Sequence, residues 1–380
     1  MNEISNDKIE TLLRKSLIDS LSFAADVIKN SYEVGIQGLS DGEAAFSFFN
    51  TNIIDYLESE NQQSLKQAIA LLKSSAYEGY DPARHTLAMF YIKGEFVNKN
   101  ITAAKVLLAE SAGSGYAQSM YQLGYYLVSG EFFEKNLTEG LLLIEKAAIK
   151  ENHTSSQASL GVFYMFAEYG IKRDYEKAIY WLHIASIQKH AKSCFLLSDL
   201  LSKLNYSDEK KKYDLMLSSA ENGYADAQYN IGNFHFNKSN VNYDPEKSVY
   251  WFSKASENGH TSATYGLALA FMNGDGIVKN MDKAIELFKK GVHLKHAKSM
   301  HTLGMMYESG NGVEVDINMA YELYTEAVEL GDVYAKVNLA LIYINHSNDE
   351  NLFKEAINLL EAARNENHPL ADGFLKQING

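Results

Sequence analysis

Imidazole and thiol groups are the side chains most able to do chemistry near neutral pH, and the chain carries eleven histidines and a single cysteine, Cys194. Five histidines occur in one setting. His260 stands in KASENGHTSA (254–263), which has a near copy in SSAENGYADA (218–227) with a tyrosine at the same place. Followed along the chain, that place reads Tyr80, Tyr116, His153, His190, Tyr224, His260, His296, Asp332 and His368. Metal ligation or general-base chemistry needs several groups converging on one point, whereas these residues form a ladder with one rung per repeat. The reading that follows is structural: His260 is a ring at a recurring joint. No HExxH, no glycine-rich phosphate loop ending in Lys-Ser or Lys-Thr, no GxSxG and no paired cysteines occur. The run Glu209 to Lys212 reads as a solvated loop. Neither catalysis, a cofactor nor a metal is expected.

The joint belongs to a unit repeated every 34 to 37 residues. Its frame is an apolar column, Leu87, Leu123, Leu160, Leu197, Ile231, Leu267, Leu303, Leu339 and Leu375. Four residues before each stands Ala or Ser, and the residue after each is small in every copy but the last, where it is Lys376. Four residues after stand Tyr91, Leu127, Tyr164, Leu201, His235, Phe271, Tyr307 and Tyr343. Apolar residues at i and i+4 flanked by small ones predict a helix, A, that a neighbour approaches closely.

A second helix, B, follows a loop. Ser64, Asn100, Asn136, Asp174, Asp208, Asp244, Asn280 and Asp316 are placed to cap its first free amides, and Pro245 suits the first helical position. Four residues beyond the cap the column is small (Ala68, Ala104, Gly140, Ala178, Ser248, Ala284, Ala320, Ala356) except at Lys212. Three further on it is large: Leu71, Leu107, Leu143, Trp181, Leu215, Trp251, Leu287, Leu323 and Leu359. Helix B should close on a left-handed residue at Gly79, Gly115, Asn152, Lys189, Gly223, Gly259, Lys295, Gly331 or Asn367, with a strain of roughly 1 kcal/mol at each lysine.

Composition agrees with such an array. Hydrophobic residues make up 46% of the 380, too many for a disordered chain, and only three are proline, as an almost wholly helical protein requires. A formal charge of −13 argues against a nucleic-acid partner. With one cysteine no internal disulfide can form, the first residues do not read as a signal peptide, and no apolar run reaches a membrane span. A soluble, cytoplasmic protein is expected, with export by a signal-independent route left open.

Taken together, A(x)3LG(x)2Y(x)2G, GxGV and D(x)3A(x)2W(x)4A(x)2G resemble the Sel-1-like repeat (SLR) family, relatives of the tetratricopeptide repeats. The resemblance runs from about Gln67 to Leu375 and is plainest at Ser299 to Asp332 and Ala263 to Val292. A tetratricopeptide array has a stricter repeat and lacks the loops Gly274 to Gly276 and Gly310 to Gly312. The resemblance implies an all-α, right-handed superhelical solenoid of antiparallel helix pairs, and a non-catalytic scaffold holding a protein or peptide partner in its concave groove. It further implies the roles of immunity protein or adaptor, with a host-directed effector as alternative. The β-lactam hydrolase activity associated with the cysteine-rich branch is the alternative of another class. The loop NYSDEKKKYD of the fourth repeat and HFNKSNVNYDPEK of the fifth lack the glycine pair.

The expected organisation is an N-terminal helical cap over 1–60, with the apolar stripe Ile9, Leu12, Leu13, Leu17, Leu21, Ala24 and Ile28, or alternatively a divergent repeat there, with Ala45, Phe49 and Ile53 as a worn helix A. The array spans 61–368 and a capping helix 369–380. In the family the A helices line the concave face, and the residues two before and two after each frame leucine point there. The candidate contacts are His85, Tyr121, Phe195, Tyr229, Tyr265 and His301 in the first column and Met89, Tyr125, Asp199, Asn233, Leu269 and Met305 in the second. Aromatic and methionine anchors in an acidic protein suit a partner that is basic or apolar at its contact surface. The first-column rings are equally suited to packing between adjacent A helices.

Overall fold

A computed structural model describes residues 40–150, 153–346 and 349–379; the stripe from Ile9 to Ile28 and the closing residue Asn152 lie outside them. Among the described residues there are nineteen α-helices, and the chain divides into two compact units between Gln188 and Lys189. The first unit holds four pairs: α1 (Asp41–Ser59) with α2 (Gln62–Tyr77), α3 (Asp81–Lys93) with α4 (Ile101–Ser114), α5 (Ala117–Ser129) with α6 (Leu137–Lys150), and α7 (Thr154–Phe166) with α8 (Tyr175–Ile187). The second holds five: α9 (Ala191–Lys203) with α10 (Glu209–Glu221), α11 (Ala225–Phe236) with α12 (Pro245–Glu257), α13 (Thr261–Asn273) with α14 (Met281–His293), α15 (Ala297–Ser309) with α16 (Ile317–Glu329), and α17 (Val333–His346) with α18 (Glu350–Asn365). A single helix, α19 (Ala371–Asn379), packs on α18. Within each unit this is an all-α solenoid of helix pairs, the architecture that the repeated pattern predicts.

Helix B begins where its cap stands. Asn100, Asn136, Asp174, Asp208, Asp244, Asn280 and Asp316 each accept a hydrogen bond from the backbone N–H three residues on. Ser64 is a correction: the cap of α2 is Asn61, which accepts from the N–H of Gln63, while Ser64 lies inside the helix and donates to Asp55. The helix thus starts earlier because an asparagine, at least as good a cap as serine, stands three residues upstream.

Helix B closes on residues of positive φ: Gly79, Gly115, Gly223, Gly259 and Gly331, and also Lys189 (58°), Lys295 (56°) and Asn367 (63°). After each of these but Lys189 the N–H of the next residue returns to the carbonyl five back, as His260 does to Ala255 at 2.8 Å and His296 to Gly291 at 3.0 Å. This is the Schellman closure.

The two helices of a pair interlock at the small column. A Cβ on Gly124 would lie 2.7 Å from the carbonyl oxygen of Gly140, and one on Gly304 would lie 2.7 Å from the Tyr324 ring. Only glycine lets the partner come that near, and the gain is a continuous core: Leu303, Phe288, Tyr324 and Leu267 belong to one buried cluster spanning successive repeats of the second unit.

Candidate functional site

The joint residue ends one helix and starts the next. His260 closes helix B through its backbone N–H, and its ring Nδ1 accepts the N–H of Ala263 at 3.1 Å, capping helix A. His190 does the same with the N–H of Ser193, and Asp332 with that of Ala335. His153, His190 and His296 also pair through Nδ1 with the hydroxyls of Ser156, Ser193 and Ser299, the residues of the Ala/Ser column. A side-chain acceptor three residues ahead of a small or hydroxyl residue was therefore the signal for a histidine cap. Histidine is uncommon enough as a cap for the motif to read first as chemistry.

The first column of candidate residues lies against this joint. Tyr229 stacks on His260 with ring centroids 4.3 Å apart and planes inclined by 21°. Tyr121 meets His153 at 5.4 Å, Phe195 meets Tyr224 at 5.0 Å, Tyr265 meets His296 at 5.3 Å, and His85 meets Tyr116 at 6.0 Å. Polar tips continue the link: His85 Nδ1 to Ser119 Oγ at 3.1 Å, Tyr121 to Ser159 at 3.0 Å, and Asn338 donating to Nε2 of His301 at 3.1 Å. All six first-column residues are half-buried, so the structure brings them together as mortar between one repeat and the next.

The second column is less engaged. Met89, Tyr125, Asp199 and Leu269 are half-buried, Asn233 is exposed, and Met305 is 39% exposed. Tyr125 shares a hydrogen bond of 3.0 Å with Tyr169, which together with burial raises its phenol to about 12, and Asp199 holds Lys203 at 2.6 Å.

Burial favours the neutral form of the joint histidines and of the first-column His85 and His301. His85 is lowered to about 4, and His153, His190, His260, His296, His301 and His368 are lowered too, in each case chiefly by desolvation. Neutrality is what the cap needs, because a protonated Nδ1 can no longer accept. Burial likewise raises the Cys194 thiol, which makes it a poor nucleophile. Among the described residues no three His, Cys, Asp or Glu converge as metal ligands, and no helix is long and apolar enough to cross a membrane.

Repeated helix pairs, small-residue interlocks and a capped joint define the class as a helical repeat protein. The Sel1 repeat model matches residues 82–116, 117–152, 154–190, 225–260, 261–296 and 297–332, more than half of the chain, and the chain belongs to the Sel1 repeat family. Its fold is similar to that of a protective antigen present in uropathogenic Escherichia coli strains, which displays an SLR fold: TM-score 0.74, 24% identity, 92% of this chain and 73% of that one. A Sel1 repeat protein from Oxalobacter formigenes (TM-score 0.39, 21% identity, 100% and 95% covered) and an immunity protein from Pseudomonas aeruginosa (TM-score 0.35, 14% identity, 57% and 82% covered) are more distant. No curated protein matches the chain by sequence.

Proposed function

We propose that this chain is a non-catalytic scaffold whose A helices hold a protein or peptide, basic or apolar where it touches, and that it serves as an immunity or adaptor protein. The observation that carries this reading is the division of labour between the two columns. The first-column rings are spent on joints, while Asn233 and Met305 recur on A helices with their side chains open to solvent. Two such residues at equivalent places two repeats apart, in a chain of charge −13, are points that complementary side chains can read in register. The immunity or adaptor role follows from the family resemblance together with that acidic charge.

The test is a pull-down from the native cell with tagged chain, followed by titration of the recovered partner. Asn233→Arg with Met305→Asp is expected to weaken the partner about tenfold or more, with circular dichroism and melting temperature unchanged. Unaltered affinity would remove the second column from the contact surface, and turnover of a β-lactam by purified protein would replace the scaffold reading with the hydrolase one.

A further inference from the structure

The fourth and fifth repeats break the frame at two places that meet. Lys212 stands in the B-helix column where all other repeats have alanine, glycine or serine, and His235 stands in the A-helix column where the others have tyrosine, leucine or phenylalanine. Around them a cleft of about 780 Å³ opens among α9, α10, α11 and the loop before α12. That volume lies in the range of small-molecule sites.

Its apolar part is Tyr213, Met216, Ile231 and Phe234, with the Tyr213 and Phe234 rings 4.9 Å apart. Its polar part is prearranged. His235 is only 6% exposed; its Nδ1 donates to the carbonyl of Asn242 at 3.0 Å, which leaves Nε2 to accept from the Tyr213 hydroxyl at 3.3 Å. Lys210, Lys212 and Lys247 line the cleft against Glu209 in its lining and Asp244 beside Lys247, so a chain of net charge −13 has an excess of cationic groups here. The Lys212 side chain is 12% exposed and its partner Glu209 84% exposed, at 2.5 Å; Lys247 holds Asp244 at 3.0 Å. Pairs with so exposed a partner contribute roughly 0–1 kcal/mol, and a bound anion can take the place of either carboxylate.

A framework position filled by a residue that the framework does not want marks a site kept for another purpose. We infer that this cleft binds an aryl carboxylate, with the flat apolar body against Tyr213 and Phe234 and the carboxylate among the lysines. The donors are point-charge ammonium groups and the side-chain amides of Asn230 and Asn242, set beside an apolar floor, which suits a single anionic head on a flat apolar body. The ligand is a small organic acid or the free carboxy terminus of a peptide ending in an aromatic residue. The cleft is separate from the second column, so its failure would leave the scaffold reading standing.

Calorimetric titration of the intact chain with 3-phenylpropionate and with acetyl-Gly-Gly-Phe, each against its amide, tests this. The acids are expected to bind at least about tenfold more tightly than the amides. Lys212→Ala should cost about tenfold in affinity while the melting temperature holds or rises, because alanine restores the regular small residue. Lys247→Ala, at an exposed rim position, should weaken binding to a smaller degree. If the peptide binds more tightly than phenylpropionate, the source is a chain terminus; otherwise it is a small acid. Equal binding of acid and amide, no saturable heat from either acid, or wild-type affinity in Lys212→Ala would overturn the inference.

Discussion

Two repeats of the second unit, Ala297–Glu329 and Ala191–Glu221, carry the same sequence frame and are built to different tightness. In the first, the N–H of the cap Asp316 returns to the carbonyl of Tyr307 at 2.9 Å, tying helix B to the end of helix A. The same tie joins Asn100 to Tyr91, Asn136 to Leu127, Asp174 to Tyr164, Asp244 to His235 and Asn280 to Phe271. In the second repeat the corresponding carbonyl, that of Leu201, is taken by Tyr206, and the tie to the cap Asp208 is not made. The buried residues follow suit. Helix α16 buries Ala320, Leu323, Tyr324 and Ala327, whereas α10 buries only Ser219 and Ala220. One lost backbone bond and one lysine in a small column thus separate a closed pair from one that leaves a cleft.

The comparison can be broken first by core truncation. Leu303→Ala is expected to cost about 2–5 kcal/mol, since Leu303 is fully packed between neighbouring repeats. Leu215→Ala, at a half-buried position of the loose repeat, should cost clearly less; equal losses in denaturant melts would mean that the two repeats are equally tight. Next comes the interlock. Gly304→Ala sets a methyl 2.7 Å from the Tyr324 ring and should cost about 1–3 kcal/mol, whereas Ser198→Ala loses only the 2.8 Å bond from its hydroxyl to the Lys212 carbonyl.

The smallest effect per residue should be common to both repeats. His190 and His296 open them in the same way, each with a pKa held below that of free histidine. The unfolded chain therefore binds more protons below about pH 6.5, and stability falls as pH drops from there towards the folded values, the lowest being about 4 at His85. Melting temperature should be level above neutrality and decline between about pH 6.5 and 4, with a shallower decline in His260→Asn, which keeps a neutral cap. A flat profile would mean that the joint histidines do not titrate with folding.

Most of the fold was legible in the sequence because its determinants are local. A cap, a left-handed closing residue and small residues at fixed spacing each act within a turn or two of chain, and the expected caps hold at seven of eight places, failing only at Ser64. What was not legible depends on where a side chain points. The joint histidine was identified as structural, but that its Nδ1 caps the next helix required the ring orientation. The stacking of Tyr229 on His260 joins residues 31 apart in sequence. Lys212 was visible as the odd member of its column, but that it lines one cleft with His235 is seen only in space.

The shared joint carries one further implication. Within each unit, because a single residue finishes one helix and launches its successor, little slack is left at which a pair could swing independently of the one behind it. A strain entering at His260 is handed on through a backbone amide, a ring face and a capped amide at once. Duplicating or excising a whole unit between two such rungs would leave every lock intact, which is how a chain of this design can change its reach without reinventing its core.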